Sequence, residues 1–236
     1  MIVRSQGYGR TMKYVITVLF LIRLNTGLSQ DSTLKSSDRV LTEVPGTVDT
    51  GAHYLFYLHG RIIEEKGIRP THERFGVYEY QAILDTLSGR GFVVISEPRP
   101  KGTDVRKYAA KVAQQISELL DSGLSPKHIT VAGASKGALI AMLVSTIMKS
   151  KDVGFALMGG CEDSRLDEFN IDLWGNVLSI YESSDSLAGT CDKFFERATG
   201  VQRRKEIKLD TGLGHGFLYK PFNDWIDPIL EWVEYE

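Results

Sequence analysis

Apolar residues fall into two kinds of stretch along this chain. Dense runs at 53–60, 92–96, 129–132, 154–161 and 176–181 have the pattern of strands buried on both faces of a sheet, and 206–209 reads as a last, shorter strand. Between the runs, apolar residues recur at helical spacing. The first such segment, 75–87, places Tyr78, Ala82, Ile83 and Leu87 on its buried face, and 103–120 aligns Val105, Tyr108, Val112, Ile116 and Leu119 or Leu120 in one stripe. Further helices are expected from the end of the third run to about 148, around 192–199, and over 221–235, where Pro228 should kink or restart the helix. The stretch 30–50 reads as irregular with one edge strand, 61–70 as a charged surface loop with solvated side chains, and 163–174 as a short helix or lid-like excursion.

Strands that alternate with helices nearly end to end specify an α/β fold, a mostly parallel central sheet with helices on both faces. In such sheets functional groups collect beyond the carboxyl ends of the strands. Gly60, Ser135, Asp185 and His215 all fall there.

The third run leads into Gly133-Ala134-Ser135-Lys136-Gly137 and then an Ala-rich apolar segment. Strand, sharp turn, helix with a serine at the apex is the arrangement that lifts a hydroxyl clear of a sheet edge, and it requires very small flanking residues. The N–H of Lys136 then lies at a helix start, where amide donors are unpaired and developing negative charge is favoured. A second donor is available from the N–H of Arg61 or Ile62, after the glycine that follows the first strand. His59 fits a bracing role in that loop better than a catalytic one, because His215, between Gly214 and Gly216 after the last strand, is the better-placed base. Asp185, the first Asp after the preceding strand, can orient His215; Glu182, Asp192 and Asp163 compete for that role.

Composition changes the picture mainly at the N-terminus. The chain has 236 residues, 42% hydrophobic and 25% charged, with a net charge of -2, which gives no global electrostatic reason to bind nucleic acid. Arg4, Arg10 and Lys13 precede the apolar run 14–22, and Gly27-Leu28-Ser29-Gln30 follows it. That is the layout of a signal peptide over 1–29, with Met12 as an alternative start, and the run is too short for a stable membrane span. The expected product is one domain over 30–236, exported to the periplasm or secreted. Cys161 and Cys191 lie in the exported part, where they can form a disulfide if their strands are neighbours, or remain two small buried residues. Neither sits in a spacing typical of a metal site.

The chain order Ser135, Asp185, His215, with Gly-Ala-Ser-Lys-Gly after a strand and His-Gly after an earlier one, resembles the α/β-hydrolase superfamily over 52–236. It is similar in economy to small esterase, dienelactone-hydrolase-like or peptidase-like members with minimal or no cap. The resemblance implies Ser135 as nucleophile, His215 as base, Asp185 as acid, and an oxyanion hole from the N–H groups of Lys136 and Arg61, with Gly60 and Arg61 at the substrate. It implies a serine hydrolase of carboxylesterase type, with a small ester or related acyl substrate and no cofactor. Arg61, Lys136 and Arg99 hint at tolerance of an anionic substrate. Rival readings are a non-catalytic binding protein on the same scaffold, and a serine peptidase or acyltransferase.

Overall fold

The computed structural model describes Met1 and residues 39–234; apart from Met1, the expected signal peptide lies outside the described residues. From 39 on, all belong to the unit Leu34–Glu236. Strand β2 (Tyr54–Leu58) shows why the centre forms: all its residues are buried, and they divide by parity between two cores. Tyr54, Phe56 and Leu58 enter one apolar cluster, Leu55 and Tyr57 the other. This is the period-2 alternation of a strand with a helical layer on each side.

The main sheet has seven strands, all in parallel pairs, in the order β1 (Val40–Leu41), β5 (Val93–Ile95), β2, β6 (Ile129–Ala134), β7 (Gly154–Met158), β8 (Trp174–Glu182) and β9 (Gly200–Leu209). On one face lie α3 (Val105–Asp121) and α4 (Lys136–Met148), with Val112, Ile116, Ile140 and Val144 in the core. On the other lie α2 (Tyr80–Gly89) and α7 (Asn223–Glu234), with Ile83, Leu87, Trp225 and Ile229. Asp104 caps α3, its carboxylate accepting from Lys107 N–H at 2.9 Å.

After β2 the chain proceeds to β5 on one side, then crosses to β6 on the other. The sheet therefore reverses direction of growth between β2 and β6, where Leu58 pairs with Gly133. A crevice opens outside the strand ends at such a switch point.

Several expectations change. The stretch 61–70 holds a helix, α1 (Arg61–Lys66), rather than only a loop, and its Glu64 is buried. Helix α2 begins at Tyr80, after a small antiparallel hairpin of β3 (Thr71–His72) and β4 (Gly76–Val77); Leu84 is buried and Ala82 only half-buried. The polar stretch after β7 holds α5 (Asp163–Glu168), and α6 (Asp192–Arg197) follows β8. Strand β9 starts six residues earlier than its apolar pattern, because 202–206 lie on a sheet edge where polar side chains are exposed, or half-buried against Trp232 and the Cys191 N–H as Arg203 and Glu206 are. Helix α7 runs through Pro228 without restarting. Burial of Trp225, Ile226, Ile229 and Trp232, about 1.5–3 kcal/mol each for side chains of this size, outweighs the roughly 3 kcal/mol proline cost. Among the described residues, no helix is long and apolar enough to cross a membrane.

Candidate active site

Ser135 stands between β6 and α4 with φ 55° and ψ −117°, a region L-residues rarely occupy. Its own N–H is anchored to Met158 O at 2.8 Å. The small flanking residues have a steric cause. A Cβ on Gly137 would fall 1.8 Å from Leu58 O, one on Gly133 2.3 Å from Gly137 O, and one on Gly160 2.3 Å from Ala138 Cβ. Strand β2, the turn and the start of α4 are in backbone contact, so only hydrogen fits.

That contact brings two helix starts together. Arg61 opens α1 and Lys136 opens α4, each with an N–H free of intrahelical bonding. Gly60 lies against the Ser135 turn, close enough that a Cβ placed on it would sit 3.7 Å from Ser135 Cβ. The expectation of two backbone donors beside the serine thus has the required elements adjacent.

His59 braces this loop. It is fully buried, one ring nitrogen (Nδ1) donates to Gly60 O at 2.8 Å, and the other (Nε2) accepts from Arg99 N–H at 2.9 Å. Burial, helped by the Arg99 charge, pushes its pKa down to about 3, so it stays neutral.

Around it lies an ionic cluster that sequence reasoning missed. Arg99 donates through Nε to Glu64 Oε1 at 2.8 Å and through Nη2 to His59 O. Lys136 Nζ donates to Glu64 Oε2 at 2.5 Å and to Thr103 O at 2.8 Å. Glu64 side-chain exposure is 2% and Arg99 0%, so the pair is closed off from water, with Arg99 Nη1 left without a hydrogen-bond partner among the described residues. Of the three cations expected to meet an anionic substrate, Arg99 and Lys136 are therefore committed to Glu64. Arg61 is exposed and has no ion-pair partner among the described residues. A six-residue helix carries too little periodicity to mark Glu64 as buried.

His215 lies in a short 3-10 turn (Gly214–Leu218) and is mostly buried, in place of the flexible loop expected. Its Nδ1 is 2.6 Å from Asp185 Oδ2, and the Asp185 side chain is wholly buried. The other Asp185 oxygen, Oδ1, accepts from Leu187 N–H at 2.9 Å. The competing acids lie elsewhere: Asp163 pairs with Lys193 at 2.5 Å, and Asp192 accepts from Thr190. Glu182 has a different task. Its carboxylate accepts from Ser184 N–H at 2.7 Å and from the N–H groups of Thr211 and Gly212, both at 3.0 Å. Burial raises its pKa, but a hydrogen bond from the Ser184 hydroxyl together with these backbone ones outweighs burial and holds it below the usual carboxylate range. Ser184 Oγ in turn accepts from Gly214 N–H at 3.1 Å. Glu182 thereby clips the loop that carries Asp185 to the turn that carries His215.

Cys161 and Cys191 form a disulfide with Cα atoms 5.2 Å apart. It joins the loop after β7 to the far end of the Asp185 loop, as their adjacent strands allow.

Two cavities meet at the serine, sharing Arg61, Ser135, Leu187 and His215. One of about 300 Å³ runs past Val105, Leu139, Gly160 and Phe169, with Glu162 and Arg165 in its wall. The other, about 410 Å³, is lined by Gly60, Ile62, His72, Phe75, Tyr78 and Tyr219 among others. A strained serine, a histidine held by a buried carboxylate, and paired helix starts around one crevice can carry out acyl transfer. Among the described residues, no group of three or more His, Cys, Asp or Glu is placed to hold a metal ion.

No protein-family model and no curated protein matches the chain. Solved structures do. Mouse alpha/beta hydrolase domain-containing protein 10 superposes with TM-score 0.52 at 12% identity, over 77% of this chain and 89% of that one. A bacterial membrane phospholipase A superposes with TM-score 0.52 at 11% identity, over 80% and 81%. A YdeN-like hydrolase from Pectobacterium atrosepticum gives TM-score 0.50 at 13% identity, over 79% and 93%. At these identities the likeness is one of fold.

Proposed function

Because the chain has the α/β-hydrolase fold, we propose that it is a serine hydrolase acting on carboxylic esters through an acyl-enzyme on Ser135. The observation that carries this reading is the 2.6 Å contact of His215 Nδ1 with buried Asp185, on the wall of the same crevice as the strained Ser135.

In this mechanism Ser135 Oγ attacks the ester carbonyl carbon and passes its proton to His215 Nε2, while Asp185 accepts the Nδ1 hydrogen and stabilises the imidazolium. The negative charge moves to the carbonyl oxygen, where the N–H groups of Lys136 and Arg61 receive it. Collapse breaks the bond to the alcohol oxygen, which leaves with the proton from His215. His215 then takes a proton from water, the hydroxide attacks the acyl carbon, and the carboxylic acid departs as the proton returns to Ser135 Oγ. Export to the periplasm or medium is part of the same proposal. It is supported by the Cys161–Cys191 disulfide, a bond that persists in oxidising compartments.

Fluorophosphonate labelling tests the reading. Wild-type protein should label, Ser135→Ala should not, and His215→Ala should label far more slowly. Absence of labelling in well-folded wild-type protein would favour a binding protein on this scaffold. N-terminal sequencing of secreted protein should read from near Gln30.

A further inference from the structure

The crevice has two arms, so a carbonyl carbon at Ser135 sends one substituent into each cavity. The larger arm is walled by rings. His72 and Phe75 stack at 4.5 Å, Phe75 meets Tyr219 edge-on at 5.6 Å, Tyr219 meets Tyr78 at 4.9 Å, and Phe75 lies 6.4 Å from the His215 ring.

These rings are fixed before any ligand arrives. Tyr78 is buried, with its hydroxyl 2.8 Å from that of Tyr57, so it presents ring carbon to the cavity and its polar end elsewhere. Tyr78 N–H donates to Pro70 O at 2.9 Å, closing the β3–β4 hairpin. Glu79 N–H donates to Tyr219 O at 2.7 Å, tying that hairpin to the segment of His215. Rigid aromatic walls favour a planar ring by edge-to-face and offset contacts that a saturated ring of the same size cannot make.

Aromatic walls can also hold a quaternary ammonium group. The mouth argues against it: the exposed charged side chains lining it, Arg61, Glu65 and Lys66, sum to one positive charge, which repels a cation. We propose that the larger cavity is an aryl subsite, and, resting on the ester-hydrolase reading, that the substrates are esters bearing an uncharged aromatic ring on one side of the carbonyl group.

Two matched series test this. One varies the alcohol: phenethyl acetate, cyclohexylethyl acetate and acetylcholine. The other varies the acyl group: the methyl esters of phenylpropanoic, cyclohexylpropanoic and trimethylammoniobutanoic acids. In one series the phenyl compound should exceed its cyclohexyl analogue roughly tenfold in kcat/KM, the size of one or two good ring–ring contacts. That ratio should fall towards one in Phe75→Leu and in Tyr219→Leu; either variant suffices if the other fails to fold. Equal rates for phenyl and cyclohexyl in both series overturn the proposal, as does a preference for trimethylammonium or a phenyl preference that survives both substitutions.

Calorimetry on Ser135→Ala with phenylpropanamide and cyclohexylpropanamide reads the same discrimination without turnover. Selective aryl binding in a protein that neither labels nor turns over any ester would overturn the hydrolase reading and leave the aryl subsite standing. Turnover with no ring selectivity in either experiment would do the reverse.

Discussion

At the scale of single residues, the site combines one strained backbone position with one buried charge cluster. Ser135 at φ 55° carries a cost of about 1–3 kcal/mol that a glycine would not. Ser135→Gly and Ser135→Ala should both be inactive, yet the glycine variant should be the more stable by about 1 kcal/mol in urea unfolding. That reverses the usual order, since glycine's greater freedom in the unfolded chain normally costs about 0.4–1 kcal/mol relative to alanine. Glu64 presents the opposite case, a side chain whose effect is felt elsewhere. It pairs with both Arg99, which holds the His59 carbonyl, and Lys136, whose N–H lies beside Ser135. Glu64→Gln leaves buried Arg99 and half-buried Lys136 facing a neutral amide, and breaking a buried pair of this kind costs about 3–5 kcal/mol. Steady-state kinetics at a temperature where the variant is still folded should show kcat reduced roughly 10- to 100-fold with KM little altered, as expected when a donor aimed at the developing oxyanion is displaced.

Secondary elements govern how Asp185 and His215 meet. They lie 30 residues apart, on loops that follow the neighbouring strands β8 and β9. Parallel pairing delivers both loops to the same sheet end, and Glu182 then joins them through backbone N–H groups of each. The disulfide fixes the remaining end of the Asp185 loop. It closes a segment of sequence separation 30, for which the chain-entropy relation gives roughly 3–4 kcal/mol. Replacing both cysteines by alanine should lower unfolding stability by about that amount. Dithiothreitol should reproduce the loss only slowly, because both residues are buried.

For the whole molecule, histidine burial makes stability depend on pH, in the same direction as the lowered Glu182 carboxylate. His59 has a folded pKa of about 3 against an ordinary 6.5, so acid protonates the unfolded chain first. Its contribution is intact above about pH 6.5 and is lost as pH falls towards 3, at up to about 1.4 kcal/mol per pH unit. His53, lowered to about 4 by burial and by His128, acts in the same direction. Urea midpoints between pH 7 and pH 4 should therefore fall with acid, and His59→Asn should lessen the slope by about one proton. Legibility in the sequence followed the same physics. The central strands and the Ser135 turn were readable because burial on two faces demands unbroken apolar runs and backbone contact demands glycine. Residues 202–206 were not, because an edge strand of exposed and half-buried polar side chains leaves no apolar signature. Asp185 and His215 could be placed from their positions after strands. Glu64 could not, since a buried charge is explained only by its partners, and those are 35 and 72 positions away in sequence. The glycine contacts also bear on any saturation-mutagenesis map of this chain. Gly133, Gly137 and Gly160 should tolerate no replacement at all, and would score there as strictly as Ser135 does. Such a map, read without the structure, would enlarge the apparent chemical machinery by three positions that take no part in it.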